Sequence, residues 1–568
     1  MRKIVECVPN FSEGRDPSVI EAILHEIRCV EGVVLLDSDM GADTNRTVVT
    51  FIGEPESVKE AAFRAIKKAS ELIDMSKHKG AHPRMGATDV CPFIPVSGVT
   101  MQECVELARE LGKRVGNELY IPVYLYEYAA TRPERKNLAA IRAGEYEGLR
   151  EKIKKPQWKP DFGPAEFNPR SGATVIGARE FLIAYNVNLN TKDKKLASEI
   201  ALTIRESGRK KRDEKGKFVR DKNGVPITEP GLLKHVKAVG WYIEEYGMAQ
   251  VSINLVNFRE TPLHQVYETC KKVAFSLGVE VTGSEVVGLI PKDALLEAGR
   301  YYLKRQMSSP GVPEEELIRV AVQSLGLSEI SPFKPEEKII EYRVKKETPL
   351  VNMRVRELVN EVSVDSPAPG GGSVAALSGA LGSALAAMVG NLSANKRKLG
   401  IPHYPKRVYG EMLEKLYKAC EEAQRIKDLL LDAVDEDTQA FNKVIDALKM
   451  PSITEEEKMA KEEALEEGYK EAAKVPLRTV ELCSKVFPIA KMMAEHGNPG
   501  SVTDAAVAAL MANAGLRGAV LNVEINLNSI KDEEFKKELK KRLEHYLKLG
   551  MKAEKEVLEI VKKKMGEE

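Results

Sequence analysis

Cysteine is scarce in this 568-residue chain, and no two cysteines stand as a CxxC pair. Cys7, Cys29, Cys91, Cys104, Cys270, Cys420 and Cys483 are scattered along it. An odd, dispersed set in so long a chain argues against a disulfide scaffold or a zinc cage and reads as the reduced thiols of a cytoplasmic protein. An excess of one charge is also lacking. The 86 Lys and Arg against 85 Asp and Glu leave +1, so nothing demands a nucleic-acid partner. The opening MRKIVECVPN lacks the apolar core of a signal peptide. Long hydrophobic runs are nearly absent. The exception, VAALSGALGSALAAMVG at 374–390, falls short of the roughly 20 residues of a membrane span. Its Ser378, Gly382, Ala386 and Gly390 recur every fourth residue. They form a small-residue face suited to close helix–helix approach, in a soluble bundle as in a bilayer. No membrane partner is expected.

What is present is globular: 43% hydrophobic and 30% charged residues. The length suits roughly three or four domains. Up to about residue 330, short β-like runs alternate with amphipathic helices. KIVECV (3–8), VVLLDSD (33–39) and RTVVTFIG (46–53) read as strands, and 54–73 has helical spacing. Thr100 and Glu103 form a capping-box pattern ahead of a VYLY strand. The pattern restarts near residue 178. There follow FLIAYNVNL (181–189), a helix over 192–207, AQVSINLV (249–256) and a helix after Thr261-Pro262. Two similar α+β layers are the natural reading. The charged segment 209–230 reads as a solvated hairpin, with an anionic-ligand patch as the alternative. A composition shift at 329–348 suggests a linker, and beyond it the pattern is helical.

Several polar residues stand out. His82 lies in HKGAHPRMGATD, where Gly80, Pro83 and Gly86 dictate a loop, so it is either catalytic or an ordinary surface histidine. A metal pair of His78 and His82 would need a helix that Gly80 and Pro83 disfavour. The Pro- and Gly-rich segment 161–174 is a linker or a ligand-contacting loop, and composition favours the linker. SPAPGGGSVAAL (366–377) opens into a helix whose free N–H groups suit an anion, or it is a glycine turn capped by Ser373. In the helix around 429–448, Leu430, Val434, Asp437, Phe441, Val444 and Leu448 step by four and three, which sets Asp437 in an apolar seam. Asp432, Asp435 and Glu436 then fall on the solvated side. A seam carboxylate is either an acid–base group with a raised pKa or a register-fixing buried charge. Asp504 and Asn522 occupy a second seam and need partners, each other or a ligand between helices.

Together these motifs resemble the formimidoyltransferase-cyclodeaminase family. VECVPNFSEGR, TNRTV, HKGAHPRMGATDVCPFIPV, AIRAGEYEGL, DFGPAEFNPRSGATVIGAREFLIAYN and IIEYRV are similar to its transferase part. APGGGSVAAL, VDEDTQAF, HGN at 496–498, Asp504 and NVEINL are similar to its cyclodeaminase part. The charged hairpin is longer than the resemblance to the animal enzymes leads one to expect. The resemblance implies two α+β (ferredoxin-like) subdomains at 1–178 and 179–328, a linker at 329–348 and an all-α cyclodeaminase bundle at 349–568. It implies transfer of a formimino group from N-formimino-L-glutamate to tetrahydrofolate, then ring closure to 5,10-methenyltetrahydrofolate with release of ammonia. His82 becomes the transferase acid–base residue, with Asp39 as a weaker substrate contact. Gly163, Pro164, Ala165, Glu166, Phe167, Asn168, Pro169, Arg170, Ser171 and Gly172 become a folate-contacting segment, which reverses the linker reading. Asp437 becomes the cyclodeaminase catalytic aspartate. Gly370, Gly371, Gly372, Ser373, Asp504 and Asn522 are the residues expected around its folate. The resemblance also implies a polyglutamylated folate co-substrate, no metal and a homo-oligomer. A related folate enzyme, using a formyl donor or acting as a cyclohydrolase, and a non-catalytic scaffold are the alternatives.

Overall fold

The computed structural model describes residues 3–42, 45–80, 83–214, 216–221, 224–343, 348–366, 368–394 and 406–566. Two compact units emerge: Met1–Ala298 with Ala321–Lys345, and Gly299–Val320 with Lys346–Glu568.

The first unit holds two sheets. One contains β1 (Ile4–Cys7), β2 (Asn10–Phe11), β3 (Val33–Gly41), β4 (Arg46–Gly53), β5 (Thr88–Ser97), β6 (Val123–Glu127) and β7 (Thr174–Ala178). β1 and β2 pair with β4 in one continuous register, from Val5↔Gly53 to Phe11↔Thr47, so they act as a single interrupted strand. Across the sheet the order is β3, β4, β1/β2, β5, β7, β6, with β7 parallel to both its neighbours. Helices Pro17–Arg28, Pro55–Leu72 and Met101–Glu118 bury their apolar stripes in the sheet's core, among them Ile20, Ile23, Ile66, Ala69, Leu111 and Val115. The capping box of Thr100 and Glu103 is formed.

The second sheet contains β8 (Ile183–Leu189), β11 (Val236–Ile243), β12 (Met248–Leu255) and β13 (Val281–Val287), antiparallel throughout in the order β11, β12, β8, β13. Its helices are Lys194–Ile204 and Leu263–Ser276. Strand, helix, two strands, helix, strand is also the sequence β1/β2 to β5, with the same spatial order. The restart legible near residue 178 is thus a repeat of topology. Between Lys194–Ile204 and β11, the two-residue strands β9 (Arg209–Lys210) and β10 (Thr228–Glu229) close the charged excursion as an exposed hairpin.

Packing differs from the expected boundaries in two places. Residues 329–343 of the expected linker are packed: Ile339 and Ile340 are 0% exposed, Ile339 bridges Ile290, and Lys292 N donates to Glu341 at 2.8 Å. Residues 299–320, expected with the α+β part, cluster by contact with the helical unit. There Asn391 Nδ2 donates to Gly311 O at 2.7 Å.

The helical unit is built from Val355–Val362, Gly371–Ala394, Lys406–Lys449, Glu455–His496, Val502–Leu527 and Glu533–Gly566. The small-residue face does what its spacing predicted. A Cβ on Gly382 would lie 2.7 Å from Ala508 O, and one on Gly515 would lie 2.7 Å from Ala375 O. Gly371–Ala394 and Val502–Leu527 therefore touch nearly backbone to backbone. Each is long and apolar enough to cross a membrane, and each is more than half buried among the other helices.

Candidate active sites

In the first unit, the loop between Pro55–Leu72 and β5 is tied down at several points. Met75 N donates to Arg170 O at 2.8 Å, and Ala87 N donates to Ser171 O at 2.9 Å. Arg84, 7% exposed, is its anchor: Nε donates to His78 Nδ1 at 3.1 Å, and Nη1 and Nη2 grip Glu147 at 2.8 and 2.7 Å. His78 in turn donates from Nε2 to Asn45 O at 2.9 Å. Both ring nitrogens of His78 are thus engaged in protein hydrogen bonds. His82 lies outside the described residues, but its neighbour Pro83 lines a cleft of about 1110 Å³.

Arg46, Lys136, Arg142, Arg179 and Lys237 face this cleft, against the acids Glu127, Glu145 and Glu180. The balance is cationic, as a site for carboxylate-bearing substrates requires. Gly144 and Glu145 have left-handed backbones, φ 90° and 52°, and the turn they make directs Glu145 onto Arg84 at 3.0 Å. A positive φ at a non-glycine residue beside a cleft is strain of the kind that collects at functional sites.

Segment 163–172 is a pinned strap. Gly163, φ 79°, lies so close to Ile121 O that a Cβ would sit 2.4 Å away. Asn168 Oδ1 accepts from Arg170 N and Ser171 N at 3.1 and 2.9 Å. Arg170 donates to the carbonyls of Ser70 and Glu71, the C-terminal end of Pro55–Leu72. Gly172 bridges Gly86, and the rings of Phe167 and Tyr146 lie 5.4 Å apart. The strap braces the loop that carries His82; none of its residues lines the cleft, although Ala165 and Glu166 are exposed. Asp39 is exposed on β3, and its charge acts on Arg46.

In the helical unit the structure brings together Asp437, Gly371, Gly372, Ser373 and Asn522. Ser373 Oγ donates to Val434 O at 2.8 Å and lies 3.5 Å from Asp437 Oδ2. Ser373 N also donates to the carboxylate. A Cβ on Gly372 would sit 2.2 Å from Asp437 Oδ1, and one on Gly371 would lie 3.1 Å from Asn522 Nδ2. Burial pushes the Asp437 carboxyl up to about 6, partly offset by the bonds from Ser373. That value suits a group that gives or takes a proton near neutrality.

The seam from which Asp437 was read needs correcting. Leu448 is 52% exposed and Phe441 half-buried, whereas Asp435, expected in solvent, is 2% exposed. Asp435 accepts from Leu350 N at 2.8 Å and Val351 N at 3.3 Å, and so fixes the chain entering this unit. Glu436 is not free in solvent either; it pairs with Arg478. Asp504 opens Val502–Leu527 and Asn522 lies about five turns on, roughly 27 Å at the α-helical rise, so the two cannot be partners. Asn522 Nδ2 instead donates to Gly518 O at 2.8 Å. Among the described residues no three His, Cys, Asp or Glu side chains cluster as a metal site.

Three family models match in succession: the formiminotransferase domain, N-terminal subdomain, over residues 4–179; the formiminotransferase domain over 184–345; and formiminotransferase-cyclodeaminase over 354–545. The chain is 46% identical over 551 residues to the formimidoyltransferase-cyclodeaminase of Mus musculus, covering 96% of each. It is 46% identical over 304 residues to the glutamate formimidoyltransferase of Streptococcus pyogenes, covering 54% of this chain and 94% of that one. A methenyltetrahydrofolate cyclohydrolase of Methylorubrum extorquens matches 215 residues at 35% identity, 38% of this chain and 99% of that one. Two structural units, each with a polar site of its own, and similarity running through both place this chain in the formimidoyltransferase-cyclodeaminase family.

Proposed function

We propose that the chain transfers a formimino group from N-formimino-L-glutamate to N5 of tetrahydrofolate in its first unit. The second unit then closes the product to 5,10-methenyltetrahydrofolate with loss of ammonia. The observation that carries this reading is Asp437, half-buried against Gly372 with its carboxyl at about 6. The repeated strand order supports a ferredoxin-like assignment for both α+β layers. The folate enters, on this reading, as a polyglutamylated co-substrate of a cytoplasmic homo-oligomer, without a metal.

In the transfer, folate N5 attacks the amidine carbon and must shed a proton, while the departing glutamate nitrogen must gain one. His82 moves that proton; His78 on one side of it in sequence is bonded to Arg84 on the other, Met75 and Ala87 are tied to the 163–172 strap, and the strap's exposed Ala165 and Glu166 offer a contact to the folate. In the ring closure, N10 attacks the formimino carbon and its proton passes to the imino nitrogen, giving a carbon bonded to N5, N10 and an amino group. That amino group takes one further proton, from Asp437, and departs as ammonia, leaving the methenyl cation shared between N5 and N10.

The test is the full chain with tetrahydrofolate and either formiminoglutamate or formylglutamate, following methenyl-folate absorbance and ammonia. One ammonia per methenyl-folate, formed only from the formimino donor and unaffected by exhaustive chelation, is the expected result. The similarity to a cyclohydrolase favours one second reading, in which the helical unit interconverts formyl- and methenyl-folate. Absorbance change without ammonia would establish that instead.

Gly372 gives a sharper check. An added Cβ meets the Asp437 carboxylate within 2.3 Å, so Gly372→Ala must displace the acid. Deamination is expected to fall by about 10²-fold, the scale of a lost acid–base contribution, while formimino transfer continues.

A further inference from the structure

The cleft of the first unit brings two arginines together from distant parts of the chain. Arg46 opens β4, and Arg142 ends the short helix Leu138–Arg142. Arg142 Nη2 donates to Asp89, which is 0% exposed and whose other oxygen accepts from Met85 N at 2.8 Å. The buried Nε of Arg142 has no protein partner among the described residues. Burial, and then the charge of Arg142, depress the pKa of the Arg46 guanidinium, with Asp89 and Asp39 opposing. Two guanidinium groups on a half-buried wall thus feel each other's charge, with one inner carboxylate, Asp89, bonded to Arg142, and an anion placed between them would relieve their repulsion.

Arg142 is also held in place from behind. Lys152, 9% exposed, donates from Nζ to the carbonyls of Ala140, Ile141 and Ala143 at 2.9, 2.6 and 2.9 Å. Its ammonium lies 4.0 Å from the ring of Trp158. An ammonium bonded to the last carbonyls of the helix fixes the turn from which Arg142 projects, so the site is ordered before anything binds.

We propose that Arg46 and Arg142 form the subsite for a carboxylate of the amino-acid donor and of the glutamate it releases. Lys152 acts as a positioning residue for Arg142. The inference takes its ligand from the proposed transferase reaction, but it predicts binding that is measured without turnover.

The experiment is calorimetric titration of the full-length protein with L-glutamate and with glutarate, for the wild type, Arg46→Gln, Arg142→Gln, Arg142→Lys and Lys113→Gln. Each glutamine variant at Arg46 or Arg142 should weaken both ligands roughly 10- to 100-fold, the range set by hydrogen bonds to a charged group. Arg142→Lys should recover only part of the loss, because an ammonium lacks the fork. Lys113→Gln, on the exposed side of Met101–Glu118 and outside the cleft, should change affinity by less than about threefold, and melting temperatures check that each variant folds. Equal losses at Lys113 would mean a diffuse field and overturn the subsite, as would unchanged affinity at both arginines or a wild type that binds neither ligand. A wild type that binds glutamate through these arginines yet transfers no formimino group would sink the proposed reaction and leave the subsite standing.

Discussion

Asp437→Asn is expected to abolish most deamination, by roughly 10²-fold or more, while 5-formiminotetrahydrofolate accumulates from an intact transfer reaction. The amide keeps the size of the carboxyl and the bond from Ser373 N, but it delivers no proton. The pH profile carries a second test. A general acid with its carboxyl at about 6 is competent below that value. kcat/KM for ring closure should therefore be flat in acid and fall about tenfold per unit above pH 6. Stability follows the same sign. The folded-state pKa lies above the ordinary aspartate value of 3.8, so the fold favours the protonated form, and that contribution is lost as pH rises through about 6. The asparagine variant has no such loss and should melt no lower than the wild type at pH 8. Were Asp437 only a register-fixing charge, the variant would melt lower and turn over normally per folded molecule.

Sequence pattern led to Asp437 by a partly mistaken route. Counting fours and threes along 429–448 predicted one apolar face, but this helix is covered on several sides, by Glu455–His496 among others. Gly371–Ala394 covers the side of Ser373, and residues 350–351 cover Asp435. A carboxylate that accepts two backbone N–H groups is at home in a core, and no periodicity reveals which remote backbone will supply them. Gly372 was legible as part of a glycine turn, but its close approach to Asp437 was not, because that contact joins residues far apart in sequence.

In the α+β part, strand β5 was hidden by Pro92 and Pro95, which argue against a central strand, yet it pairs on both sides. Ile339 and Ile340 were hidden by the charges around them. The elements read correctly, such as β4 over Arg46–Gly53 and the helix from Lys194, have clean local periodicity and need no remote partner to explain them. The cleft was not legible as a site. Arg46, Arg142 and Arg179 stand in the motifs TNRTV, AIRAGEYEGL and VIGAREF, but nothing in any one of these segments reveals that the others and Lys237 face the same cleft.

Replacing His82 is the other large effect. His82→Ala is expected to slow formimino transfer roughly 10²- to 10⁴-fold, while supplied 5-formiminotetrahydrofolate is still deaminated at the normal rate. Free imidazole should restore part of the transfer, because the alanine leaves space where a small base can stand in. His78→Ala is the contrast that separates chemistry from support. His78 accepts from Arg84 and donates to Asn45 O, so both its nitrogens are committed to holding the loop. Losing it should loosen the segment around Gly80 and Pro83, raise KM for the donor and gain nothing from imidazole. Arg84→Lys should behave like His78→Ala, because an ammonium cannot reproduce the paired bonds to Glu147 at 2.7 and 2.8 Å. The decisive outcome is the imidazole response. Rescue in His82→Ala alone assigns the proton transfer to His82. Equal rescue at both positions would make His78 a participant, and a folded His82→Ala enzyme with normal transfer would remove His82 from the mechanism.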